Sequence, residues 1–336
     1  MSRPAYLTAR RLATTTVALA ALLAASLVAA AVMGPVHVSL RAALAGGGTS
    51  PDYVILFRTR LPRVLLGAIV GGSLAAAGAA LQGLLANPLA CPHVLGISAG
   101  AAVAGVGALL LGADPISPLV PLAAFAGALA AVAIVSFGAR AGGRTTPHAV
   151  LLVGVVFNAL ASALLMLANA LASYMQAQGV LFWIMGSLST QSWGLIAGAA
   201  AYSAAGLAWL FVHANDLNLL SAGEEGALQL GVDVERTRRA VFVGASLLVA
   251  AAVSVSGMIG FVGLIVPHLL RLLLGPDHRL LLPASFLGGA AFLVWADTFA
   301  RTALAPVELP VGVVTALTGG PFFLYLLRRQ LRRAVA

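Results

Sequence analysis

The chain has 336 residues, of which 61% are hydrophobic and 9% charged, with a mean hydropathy of +1.02. That composition excludes a soluble globular domain, where charged residues run near a quarter. The net charge of +9 is no nucleic-acid signal, because the arginines behind it punctuate long apolar runs in the pattern that sets membrane orientation.

Apolar runs of about 18 or more residues mark transmembrane helices. Roughly ten spans are expected, at 12–33, 64–85, 94–111, 118–138, 147–171, 191–213, 240–258, 261–274, 280–300 and 309–327, in a single transmembrane domain over 1–336. The first follows Arg10 and Arg11. At about 22 residues it exceeds the 7–15 of a secretory signal's apolar region, so it is read as a span. Arg60 and Arg63, in "RLPR", open the second span. The turn after it, "NPLACPH" (87–93), holds the single cysteine, Cys91, which excludes an intramolecular disulfide.

The fifth span reads "LLVGVVFNALASALLMLANALAS" (151–173). Asn158, Ser162, Met166, Asn169 and Ser173 recur at spacings of four, four, three and four, so they share one helical face. Two readings stay open: hydrogen-bonding glue between helices, or a weakly polar stripe along a passage. The eighth span is short, about 21 Å at 1.5 Å per residue. In the ninth, Asp297 stands four residues before Arg301, within pairing reach on one helix face.

With the N-terminus inside, Arg3, Arg10, Arg11, Arg140, Arg144, Arg236, Arg238, Arg239, Arg271, Arg279, Arg328, Arg329, Arg332 and Arg333 fall on the cytoplasmic side. Arg41, Arg58, Arg60, Arg63 and Arg301 fall outside. This split predicts that both termini are cytoplasmic. Arg60, Arg63 and Arg301 are then either snorkelling side chains or a basic platform for an acidic partner.

One stretch is unusually polar: "LSAGEEGALQLGVDVERTRR" (220–239), on the same cytoplasmic side. Ser221 and Glu224 have capping-box spacing and Gly231 suits a helix stop, so a short helix is expected over 222–230. Glu224 and Glu225 would sit at its positive end. It is either a solvated connector or a rigid handle for a soluble partner, since so short a helix needs tertiary contacts to persist.

The absences matter too. There is no lysine, so the chain has no Walker A phosphate loop, and no HExxH zinc motif. Ion-coupled carriers place charged groups in mid-membrane, and here only Asp297 is a candidate, close to the outer end. An ion-coupled secondary transporter is therefore the alternative of another class, beside a structural or sensory subunit that transports nothing. No covalent chemistry, metal site or cofactor is expected on this chain.

Four blocks carry a family resemblance: "RLPRVLLGAIVGGSLAAAGAALQGLLANPLACPHVLGISAGA" (60–101), "ALQLGV" (227–232), "GMIGFVGLIVPHLLRLLLGPDHRLLLP" (257–283) and "ELPVGVVTALTGGPFFLYLL" (308–327). Over about residues 55–329 the chain resembles the permease subunits of ATP-binding-cassette importers for iron–siderophore complexes, haem and cobalamin (FecCD/BtuC-like). The resemblance implies an all-α integral membrane protein of the type II importer permease fold, with about ten spans, in the inner membrane. It implies a homodimer, two ATP-binding subunits carrying ATP and Mg, an extracytoplasmic substrate-binding protein, and alternating access, with no nucleic-acid partner. By resemblance 220–239 is the ATPase-coupling segment, with Ser221, Glu224, Glu225, Leu228, Leu230 and Gly231. Arg60, Arg63 and Arg301 would dock the binding protein. Asn87, Leu89, Thr145 and Thr146 match inner gate positions, and Asn158, Ser162, Met166 and Asn169 the pathway helix. The cargo would be an iron–siderophore or haem, with cobalamin as the alternative.

Overall fold

The computed structural model describes residues 7–335 except 46–47, 49, 115–116, 142–143, 146 and 189–191. Within them the chain is built of helices: α1 (Ala9–Val32), α2 (Leu40–Ala45), α3 (Pro51–Tyr53), which runs through a π-helical stretch (Val54–Arg60) into α4 (Leu61–Leu84), α5 (Ile97–Leu110), α6 (Leu119–Gly138), α7 (Pro147–Leu171) and α8 (Tyr174–Met185). Then come α9 (Trp193–Val212), α10 (Ala214–Ala222), α11 (Glu224–Gln229), α12 (Val234–Ser256), α13 (Val262–Leu274), α14 (His278–Thr302) and α15 (Val311–Val335). A two-residue antiparallel pairing, Arg140–Ala141 with Arg144–Thr145, closes the α6–α7 turn.

Seven helices are long and apolar enough to cross a membrane, and three shorter apolar ones, at 97–110, 262–274 and 311–325, complete the ten expected. Polar caps set their starts. Thr8 Oγ1 accepts from Arg11 N, Asp233 from Arg236 N and Asp277 from Arg279 N, each satisfying an orphan donor of the first turn. The chain is a multi-pass membrane protein.

Small residues build the core, because lipid gives helices no hydrophobic reason to associate and close backbone approach must supply the packing. Gly71 and Gly289 face each other where α4 crosses α14, and a methyl on either would overlap the other's carbonyl oxygen. Gly78 lies against the Gly263 carbonyl of α13 in the same way. Thus α4, α12 and α14 are mostly buried, while α1, α6, α7 and α9 leave most of their surface uncovered by this chain. Polar contacts pin the outer helices. Ser73 of α4 bonds Ser203 of α9 at 2.8 Å, and Trp209 Nε1 of α9 donates to the Ala240 carbonyl of α12 at 2.8 Å.

Three helix ends meet inside the bundle. Gly186 after α8 fits against Met258 O, Gly257 after α12 against Trp183 O, and Gly312 in α15 against Met185 O. Ser187 N donates to Ser256 O at 2.8 Å, so the irregular backbone there is satisfied internally.

The helix expected over 222–230 differs in detail. Residues 214–222 already form a helix, α10, and Gly223, at φ 142°, breaks it before α11. Ser221 therefore ends α10, where its Oγ donates to the Asn218 carbonyl, and no capping box forms. Gly231 does adopt the left-handed conformation of a helix stop, at φ 83°. The expected seventh span starts earlier than 240, since Asp233 caps α12 and brings Arg236, Arg238 and Arg239 onto the helix.

Candidate functional site

Three groups of residues merit construction: the α10–α11 segment, the charged cluster at the opposite end, and the exposed face of α7.

From 221 to 231 the chain is exposed at every position except Ala227. Ala227 turns inward with Val232 and Val234 against Leu219 and Leu220, a small apolar seat that holds the segment to the body. On the outer side stand Leu228, 55% exposed, and Leu230, 69% exposed, beside Glu224 and Glu225. Arg238 of α12 clasps the segment from behind, with Nη2 3.0 Å from Glu224 Oε2 and Nη1 3.1 Å from Glu235 Oε1. The arrangement is a firmly seated projection bearing an apolar and acidic tip.

Behind it, Asn218 of α10 reaches the start of α14. Its Nδ2 donates to Asp277 Oδ1 at 2.9 Å, and its Oδ1 accepts from His278 N at 2.7 Å and lies 2.8 Å from His278 Nδ1. The Arg279 guanidinium, hydrogen-bonded to Asp277, holds that carboxyl at about 2, well below the usual carboxylate range. Sequence reasoning passed over Asn218; its signal was three polar residues, Asn215, Asp216 and Asn218, close together after His213.

At the other end, Arg60, Arg63 and Arg301 do not form an open basic surface. Arg60 is 4% exposed; its guanidinium lies over Gly34, which has no side chain to obstruct it, and donates to the Val32 carbonyl at 2.6 Å and to that of Val36. Arg63 grips Asp297 with Nε and Nη2 at 3.0–3.2 Å and reaches Glu308 Oε2 with Nη1 at 2.8 Å. Arg301 Nε lies 3.0 Å from Asp297 Oδ2, so the expected four-residue pair forms. Nη2 of Arg301 is 3.4 Å from the Ala30 carbonyl. The physical reason is mutual: the last carbonyls of α1 lack helical partners, and a buried carboxylate needs cations. Glu308, 52% exposed, is the accessible charge of this cluster.

On α7, Asn158 is used as glue. Its Nδ2 donates to the carbonyls of His93 and Val94, at 2.8 and 3.1 Å, tying α7 to the 85–96 turn. Among the described residues, Ser162, Met166 and Asn169 stay exposed on α7. Ser173 leaves the stripe altogether, because it begins α8, where Gln176 Oε1 accepts from its N and Oγ. Asn87 closes its own turn by accepting from Leu89 N at 2.9 Å, and Leu89 is partly exposed beside it. Thr145 lies in the short strand pairing, and Thr146 is outside the described residues.

Comparison with known proteins adds what geometry alone does not. A family profile described as the FecCD transport family matches residues 18–329. The chain is 46% identical over 300 residues to the cobalamin import system permease of Halobacterium salinarum, covering 89% of this chain and 80% of that one. It is 40% identical over 303 residues to the hemin transport system permease of Yersinia pestis (89% and 90% covered). Against the Fe(3+) dicitrate transport system permease of Escherichia coli it is 38% identical over 302 residues (89% and 93%). A solved inward-facing structure assigned to the metal-chelate type of ABC transporter superposes with TM-score 0.82 at 31% identity, covering 94% of this chain and 99% of that one.

Proposed function

The chain belongs to the FecCD transport family as an ATP-binding-cassette importer permease, and we propose that two copies of it form the pathway for a bulky metal chelate. Each copy seats one ATP-binding subunit on α10–α11, and ATP and Mg are held by that partner. An extracytoplasmic binding protein delivers the cargo at the opposite end. The assembly lies in the inner membrane with both termini cytoplasmic, and closure of the ATPase pair drives alternating access. An iron–siderophore or haem is the cargo, with cobalamin, carried by the relative at 46% identity, as the alternative.

The observation that carries this reading is the tip of α11. A six-residue helix is far too short to persist alone in water, yet this one is seated, tethered by Arg238, and offers Leu228 and Leu230 outward. Such a projection suits a cleft on a soluble partner. At the other end, acidic groups of a binding protein would compete with Glu308 for Arg63, while Arg60 and Arg301 brace the platform from below. Between the ends, Ser162, Met166 and Asn169 of α7 would face the second copy across the passage, and Asn87, Leu89, Thr145 and Thr146 would narrow its inner end.

Co-purification tests the reading. The tagged chain, extracted in mild detergent from its native membrane, should bring down a nucleotide-binding subunit at one copy per permease. The double change Glu224→Ala with Leu228→Ala should strip that subunit while leaving the permease folded. A chain that comes out without any ATPase would refute the proposal.

A further inference from the structure

The α10 half of the projection makes two kinds of contact with the body of the protein. Ala214 and Leu217 of α10 are buried in the apolar core, which attracts without direction. Asn218 supplies the directional contact, a fork of hydrogen bonds onto the first residues of α14.

The fork has one chemical solution. Asp277 is an ionised carboxylate and can only accept, so the Asn218 Nδ2 must face it and Oδ1 must face His278. Oδ1 already accepts from His278 N, and its second neighbour, Nδ1, must then carry the imidazole proton. Nε2 is left as a bare acceptor. His278 is 2% exposed, and among the described residues its Nε2 has no hydrogen-bond partner. It points instead at the backbone of Gly83 in the last turn of α4, so closely that a methyl there would overlap it. Gly83 O in turn accepts from Ala86 N at 3.2 Å, and Gln82 O accepts from Asn87 N at 3.1 Å, which fixes the turn carrying Asn87 and Leu89.

We infer that Asn218 is a positioning residue for coupling: it holds the His278 ring against Gly83, so that displacement of α11 is delivered to the 85–90 turn at the end of α4. The inference rests on α11 being the ATPase-facing element. It adds Asn218, His278 and Gly83 to the machinery as one rigid connection between the partner's docking site and the inner end of the passage. Without the fork, α10 would still pack by Ala214 and Leu217 but could slide, and movement would be lost before reaching α4.

The test reads position 89 directly, needs no identified cargo, and uses the complex with its own ATPase in the membrane. In a Cys91→Ser background, Leu89→Cys is labelled by a membrane-impermeant maleimide in inside-out vesicles, with and without ATP and vanadate. With Asn218 intact, nucleotide should change the labelling rate by at least about fivefold, the low end of ordinary allosteric coupling. Asn218→Leu should abolish that change in complexes that retain the ATPase.

A charge exchange guards against simple misfolding. Asn218→Asp sets a second carboxylate against Asp277 and should uncouple; adding Asp277→Asn restores a donor–acceptor pair and should bring the nucleotide response back. A full response in Asn218→Leu, or no rescue by the exchange, would overturn the inference while leaving the importer reading standing. A preparation with no ATPase would overturn both.

Discussion

Two arginine–carboxylate contacts in this protein have the same length and opposite settings. Arg63 Nη2 lies 3.0 Å from Asp297 Oδ1, and Arg238 Nη2 lies 3.0 Å from Glu224 Oε2. Asp297 is 2% exposed, gripped through both oxygens by Arg63 and approached by Arg301 from its own helix. Glu224 is 57% exposed and holds its arginine through one oxygen. Distance alone therefore says little about what such a contact does. The first is a lock: breaking it strands charge where water cannot reach. The second is a latch in water, where a pair contributes little and reforms easily. A segment that must move with a partner is better held by latches.

The comparison can be broken at several points. Asp297→Ala should have the largest effect, about 3–5 kcal/mol of stability, because it leaves the buried Arg301 without its carboxylate and Arg63 with Glu308 alone. Thermal unfolding of the detergent-solubilised protein reads this as a lowered and broadened transition; an unchanged midpoint would show that water penetrates the cluster. Arg238→Ala should cost less, about 1 kcal/mol, since both its carboxylates lie at the surface end of α12 and can return to solvent. Its larger consequence should be a looser α11, seen as faster proteolysis within 221–231. Glu224→Gln should be smallest, within about 0.5 kcal/mol, and 1 M salt should erase the difference from the parent. If salt shifted the Asp297 variant as much as the Glu224 variant, the distinction between lock and latch would fail.

The spans were legible because a membrane imposes length and apolarity on every crossing, and each of the ten expected segments overlaps an observed helix. What eluded the sequence obeys other rules. The twelve residues of α8 are too few to announce a crossing, and α8 is fixed by its Ser173–Gln176 start and by packing of Trp183 against Gly105 of α5. Likewise α10 follows α9 so directly that its polar residues read as a loop, and Ser221 was assigned to the wrong helix. Asn158 had two physical meanings by periodicity, and its bonds to the His93 and Val94 carbonyls, more than 60 residues away, are a contact no periodicity reports. The inward turn of Arg60 depends on carbonyls 24–29 residues away, which no local pattern reports.

The meeting of helix ends at Gly186, Gly257 and Gly312 has a consequence for how the molecule breathes. Amide protons outside regular helices ordinarily trade quickly with deuterium, because local opening exposes them at little cost. Ser187 belongs to no helix, yet its amide is bonded to Ser256 O in the interior, where α8, α12 and α15 all crowd the same point. Breaking that bond separates the end of α8 from the end of α12 at a point where α15 also packs. The Ser187 amide should therefore exchange more slowly than its place outside any helix suggests, which hydrogen–deuterium exchange on the detergent-solubilised protein reads directly.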